Sequence, residues 1–128
     1  MQWTCCLAAT PALIIMAIAS GVPSAAQDTT AGAQAFNVCG ACHTIERGGR
    51  NGVGPNLSGL FGRTAGSVAG YNYSAAMKAS GLKWDEKTLD EFLSAPTKTV
   101  PGTRMPISVA DPAKRAALIA YLKSGNEK

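Results

Sequence analysis

The chain opens with a continuous apolar run over residues 7–19 and then shifts to segments in which apolar residues recur every three or four positions. The run lacks charge, holds Pro11 and is short for a membrane span, so it suits the core of a secretory signal. Ser20, Gly21 and Pro23 break it, and Ser24-Ala25-Ala26 supplies the small residues of a cleavage site. Residues 1–26 are therefore expected to be removed, leaving 27–128 as one small domain. No Lys or Arg precedes the run, so the amino terminus is its only positive charge, and an uncleaved anchor is the alternative.

Beyond the run, the pattern predicts helices joined by long loops. Thr29 or Thr30 can cap a short helix through Ala33, Ala35 and Phe36, with Gly32 and Phe36 on one face. Residues 46–55 are turn-rich and without period, and 56–62 continue them. Residues 71–79 suit a short helix stopped by Gly81. Residues 85–94 read as a helix with Leu89, Phe92 and Leu93 on one side and Pro96 beyond its end. Residues 99–106 form another loop. The last helix has Asp111 as N-cap, Pro112 at its first position, Leu118, Tyr121 and Leu122 as its apolar face, and Gly125 at its end. Lys114, Arg115 and Lys123 are expected in solvent. The fold class is all-α, with no strand of consequence.

The formal charge of +4 belongs wholly to residues 27–128, because the first 26 positions carry none. No dense Lys/Arg tract exists, which argues against nucleic acid. Mild basicity suits brief docking to an acidic partner surface, where charge mainly speeds and orients encounter.

The chemistry concentrates in Cys39-Gly40-Ala41-Cys42-His43, a C-x-x-C-H run. This spacing reads as a c-type haem attachment site. Two sulfurs can add to the two vinyl groups on one haem edge, and the next residue can bring an imidazole to the iron. A zinc site would need four ligands, yet His43 is the only histidine and no cysteine follows Cys42. A thioredoxin-like pair would need a βαβ pattern around it, and a disulfide would leave His43 without a role. A domain of about one hundred residues buries only a modest core, so a covalent haem would give it an apolar body to fold around.

The opposite face of the iron decides between a carrier and a ligand binder. No second histidine exists, so a methionine thioether is the soft candidate. Met1 and Met16 would leave with the signal, which leaves Met77 and Met105. Met77 lies in a helical segment, where a packing role is more usual. Met105 lies in a stiff loop flanked by Pro101, Gly102 and Pro106 and is the favoured ligand.

C-x-x-C-H, then Gly54-Pro-Asn-Leu-Ser-Gly-Leu-Phe-Gly-Arg63, then Pro101-Gly-Thr-Arg-Met105 and Leu118-Ile-Ala-Tyr-Leu122, together resemble class I cytochrome c of the c/c2 branch. The resemblance implies a small fold with crossing terminal helices and loops wrapped around one covalent haem c. It implies thioethers from Cys39 and Cys42, axial ligands His43 and Met105, and a Pro55 carbonyl orienting the His43 ring. Arg63, Tyr73 and Trp84 would hold the propionates, Thr103 would order the Met105 loop, and Gly32 and Phe36 would meet Tyr121. Relatives often carry a tyrosine at Phe92, an asparagine at Met77, and docking lysines at Val38, Gly52 and Thr97. Arg50, Lys98 and Arg104 remain near the expected exposed edge. The implied function is a soluble, monomeric, periplasmic one-electron carrier, not an enzyme, that meets donor and acceptor proteins or membrane complexes of respiration or photosynthesis. The alternative is a ligand-binding or peroxidase-like haem protein with a labile sixth site.

Overall fold

The computed structural model describes residues 25–126, so the expected signal segment, residues 1–26, lies almost wholly outside them. The elements in chain order are α1 (Ala25–Gly40), α2 (Ala75–Ala79), α3 (Glu86–Ser94), α4 (Pro96–Thr99) and α5 (Pro112–Asn126). The only extended pairing among the described residues is an isolated antiparallel bridge between Thr64 and Lys83. The all-α expectation holds.

Polar side chains start three of the helices by accepting from nearby backbone amides, and of these the Asp111 cap is the one the sequence predicts. Asp85 accepts from the Thr88 amide at 2.7 Å and so starts α3. Asp111 accepts from the Ala113 amide at 2.9 Å, and Pro112, which has no N–H to lose, opens α5. Ser74 accepts from the Met77 amide at 3.1 Å, which starts α2 at Ala75 rather than at residue 71. Gly81, at φ +64°, follows its end.

Four further expectations need correction. First, α1 begins at Ala25, so Thr29 and Thr30 lie inside the helix instead of capping it. Ala25 and Ala26 are strong helix formers, so the helix extends upstream of the threonines. Cleavage after Ala26 would remove only its first two residues. Second, α5 runs through Gly125 to Asn126. Third, Pro96 does not merely follow α3. Ala95, at φ −153° and ψ 77°, breaks α3, and Pro96 then opens the single turn α4, whose Val100 amide donates back to the Pro96 carbonyl at 2.9 Å. Fourth, Arg115 is not a solvated cation. Its side chain is only 11% exposed, and its Nε donates to Asp90 of α3 at 2.8 Å. Its Nη1 donates to the Val109 and Ala110 carbonyls, each at 2.9 Å.

The core joins Leu89, Phe92 and Leu93 of α3 to Leu118, Ile119 and Leu122 of α5, with Leu60, Trp84 and Val100 from the loops. Leu118 is the most deeply buried of these at 1% exposure. Helices α1 and α5 are the most extensively packed pair. Phe36 and Tyr121 meet there with ring centroids 5.7 Å apart. Gly32 makes the close approach possible, since a Cβ at that position would collide with the Ala117 carbonyl oxygen and the Tyr121 Cβ. Neither obstacle is a flexible side-chain tip. Gly32→Ala is therefore expected to destabilise the protein by about 2 kcal/mol despite the better helix propensity of alanine. The midpoint of denaturant unfolding would measure this.

Candidate haem site

The site grows out of the end of α1. The amides of Cys42 and His43 both donate to the Cys39 carbonyl, at 3.0 and 2.9 Å, so the helix tightens into a turn across the motif. That turn makes the two cysteines and the histidine one rigid unit. Both cysteines are unbridged and half-buried. Burial pushes the Cys39 thiol above its ordinary value and the nearby Cys42 adds to this, while its backbone hydrogen bond opposes. A redox-active C-x-x-C needs the reverse, a stabilised thiolate.

His43 Nδ1 lies 2.7 Å from the Pro55 carbonyl oxygen. A carbonyl can only accept, so Nδ1 carries the hydrogen and the lone pair resides on Nε2. This is the tautomer a metal-bound histidine requires, with ring orientation fixed by an outer partner. The residues present thus fit a haem c: two thiols and one imidazole prepared at Nε2. Ile45, Leu57, Phe61, Leu82 and Met105 are partly exposed apolar side chains resting on the core.

The loop that supplies the Pro55 carbonyl is heavily constrained. The Gly54 amide donates to the Cys42 carbonyl at 2.8 Å, and the Leu57 amide donates to the Thr44 carbonyl at 2.8 Å. Asn56 is the hub and is 7% exposed. Its Nδ2 donates to Thr44 Oγ1 at 2.7 Å and to the Glu46 carbonyl at 3.0 Å. Its Oδ1 accepts from the amide and the hydroxyl of Ser58. Four bonds exhaust the capacity of an Asn side chain. Sequence reasoning assigned Asn56 no role. Its only signal was an Asn in a turn-rich stretch, where such side chains often bond local backbone.

The three expected propionate residues are brought together. The Trp84 amide donates to the Arg63 carbonyl at 3.0 Å, and the Gly62 amide donates to the Trp84 carbonyl at 2.7 Å. This pairing, next to the Thr64–Lys83 bridge, sets residues 63 and 84 side by side. Arg63 Nη1 is held by the Ser58 carbonyl at 2.9 Å. Burial lowers the Arg63 guanidinium from its ordinary value, with Tyr73 opposing. Burial also raises the Tyr73 phenol, against the Val68 backbone and Arg63. A half-buried guanidinium beside a neutral phenol and an indole N–H suits an anionic guest.

Of the two methionines, Met77 is buried in the core and Met105 is half-buried at its edge. The Met105 amide donates to Thr103 Oγ1 at 3.3 Å, and the Thr103 amide donates to the Val100 carbonyl at 3.0 Å, so the loop is bonded to itself around Thr103. Phe92 is buried edge-on to Trp84, with centroids 5.2 Å apart, and brings no hydroxyl to this region. Val38, Gly52 and Thr97 are exposed, as are Arg50, Lys98 and Arg104.

The sequence model of the family described as cytochrome c matches residues 29–126. Cytochrome c2 of Blastochloris viridis is 46% identical over 109 residues, covering 84% of this chain and 86% of that protein. Cytochrome c2 iso-2 of Magnetospirillum fulvum is 50% identical over 91 residues, covering 70% of this chain and 94% of its own. The solved structure of cytochrome cH from Methylobacterium extorquens superposes with a TM-score of 0.71 at 47% identity, covering 76% of this chain and 98% of that one. With two free thiols, a histidine preset at Nε2 and this similarity along nearly the whole described chain, the protein belongs to the class I cytochrome c family, c/c2 branch: an all-α electron-transfer protein with one covalently attached haem c, not an enzyme.

Proposed function

We propose that this chain is a periplasmic one-electron carrier whose haem is held by Cys39 and Cys42 and whose iron is ligated by His43 and Met105. The observation that carries the reading is the His43 Nδ1–Pro55 hydrogen bond, which leaves Nε2 as the ligating atom. Bound haem supplies the Fe(III)/Fe(II) couple, and a His/Met pair biases it toward the reduced form. The chain's own part is to hold both ligands still through the redox change. Pro55 fixes the imidazole, and Thr103 stiffens the backbone at Met105. Arg63, Tyr73 and Trp84 receive the propionates, keep water from that edge and offset their charge.

Partners are donor and acceptor proteins or complexes of respiration or photosynthesis, met briefly at the exposed haem edge by a monomer. Exposed Arg50 and Lys98 supply positive charge there, while exposed Val38, Gly52 and Thr97 supply none. Docking is accordingly expected to depend only modestly on salt. Among the described residues no helix is long and apolar enough to cross a membrane. Residues 1–26 act as a cleaved export signal, and a purified protein beginning at Gln27 would bear this out.

The test is carbon monoxide addition to the dithionite-reduced protein at neutral pH, followed optically. No spectral change is expected, because a thioether closes the sixth position. A complete shift at low carbon monoxide would instead favour the ligand-binding or peroxidase-like reading.

A further inference from the structure

Three hydrogen bonds converge on four consecutive residues that hold none of the site chemistry. Asn51 Nδ2 donates to the Ala69 carbonyl at 3.1 Å, and the Tyr71 hydroxyl donates to the Val53 carbonyl at 2.6 Å. Arg104 Nη1 donates to the Asn72 carbonyl at 2.9 Å, across 32 positions of sequence. The first two bonds tie residues 69–72 to the loop whose Pro55 carbonyl orients His43. The third ties them to the residue just before Met105.

Residues 68–73 have no helix or strand of their own, and Gly70 sits at φ +73°. Their position is therefore set largely by these ties and by the Tyr71 ring, which packs edge-on to Tyr73 with centroids 4.7 Å apart. The Met105 loop also lies against the element that follows, since a Cβ on Gly102 would stand 3.0 Å from Ala76 Cβ.

We propose that residues 69–72 are a strap by which the loop that orients His43 restrains the loop that presents Met105, and that Asn51, Tyr71 and Arg104 are positioning residues for the sixth iron position. The strap rests on the reading of Met105 as the iron ligand. Its ties act in series. Arg104 fastens the Met105 loop to the strap, but the strap resists movement only while Tyr71 and Asn51 anchor it. Breaking either end frees the same loop.

Imidazole binding to the oxidised, haem-loaded protein measures how readily Met105 leaves. Tyr71→Phe and Arg104→Gln are each expected to raise imidazole affinity about three- to tenfold, the range set by one partly exposed hydrogen bond. The double variant should exceed the larger single by less than twofold, the signature of a series. Arg104→Lys, which keeps a donor, should restore most of the wild-type value. Arg115→Gln breaks the ion pair to Asp90 between α3 and α5, so it should lower the unfolding midpoint without moving imidazole affinity. An unchanged affinity in Tyr71→Phe, or a double variant equal to the product of the singles, would overturn the strap. Met105→Ala separates this failure from that of the ligand reading. It should itself raise imidazole affinity and make both strap substitutions silent. If it leaves affinity unchanged, the ligand assignment fails, and the strap with it.

Discussion

Replacing Met105 by alanine is expected to convert a reduced protein that ignores carbon monoxide into one that binds it stoichiometrically. The reduction potential should fall by at least on the order of a tenth of a volt, within the roughly 0.8 V that axial ligands span. Met105 is half-buried at the edge of the core, in a loop where its own amide donates to Thr103 Oγ1. Met77 has the opposite setting. It is 8% exposed inside the core, beyond a helix cap that its own amide helps to form. Met77→Leu nearly conserves volume, should cost less than about 1.5 kcal/mol, and should leave the sixth position closed. Optical titration with carbon monoxide and a redox titration of both variants would decide the matter. A closed site in Met105→Ala alongside an open one in Met77→Leu would reverse the assignment.

The second large effect is expected at Gly54. A Cβ there would stand 2.6 Å from His43 Nδ1 and 2.7 Å from Nε2, and would collide with Cε1. It would lie against the imidazole itself. The ring cannot retreat without giving up the Pro55 carbonyl, and the Gly54 backbone is pinned to Cys42. Gly54→Ala should therefore combine overpacking with a lost orienting bond, about 2–4 kcal/mol together. Loss of such an outer partner typically weakens metal binding about 10–100-fold. The readouts are the yield of haem-loaded protein and the fraction of ferric iron with both strong ligands. Gly40→Ala is the internal comparison. It lies inside the C-x-x-C-H motif, yet a Cβ there meets nothing closer than Phe36 Cε1 at 3.5 Å, an ordinary contact. The loop glycine should be intolerant and the motif glycine tolerant.

These two cases show where local sequence stops being informative. From C-x-x-C-H alone, Gly40 looks the more critical glycine, because it sits between the cysteines. Gly54 matters because the chain returns to His43 after eleven residues and passes over its ring. Asn56 was similarly invisible as a hub, since its partners at Thr44 and Glu46 are joined to it only once that loop closes.

By itself the sequence determined whatever depends on residues within a few positions of one another. The cysteine spacing with its adjacent histidine, the helix beginning beside Asp85, the Asp111 cap, Pro112 at a helix start and the apolar spacing of α3 are all short-range, and each stands where it was expected. The order of linked motifs also pointed to the family. Tertiary structure decided what depends on distant partners. Asp90 together with two loop carbonyls draws Arg115 out of solvent. Linking the His43 loop to the Met105 loop through residues 69–72 likewise took bonds between residues 18 and 32 positions apart. A capping carboxylate finds its amide within three residues in any chain that turns there. Those longer bonds form only after the loops between them have closed, at an entropic cost that the assembled core must offset.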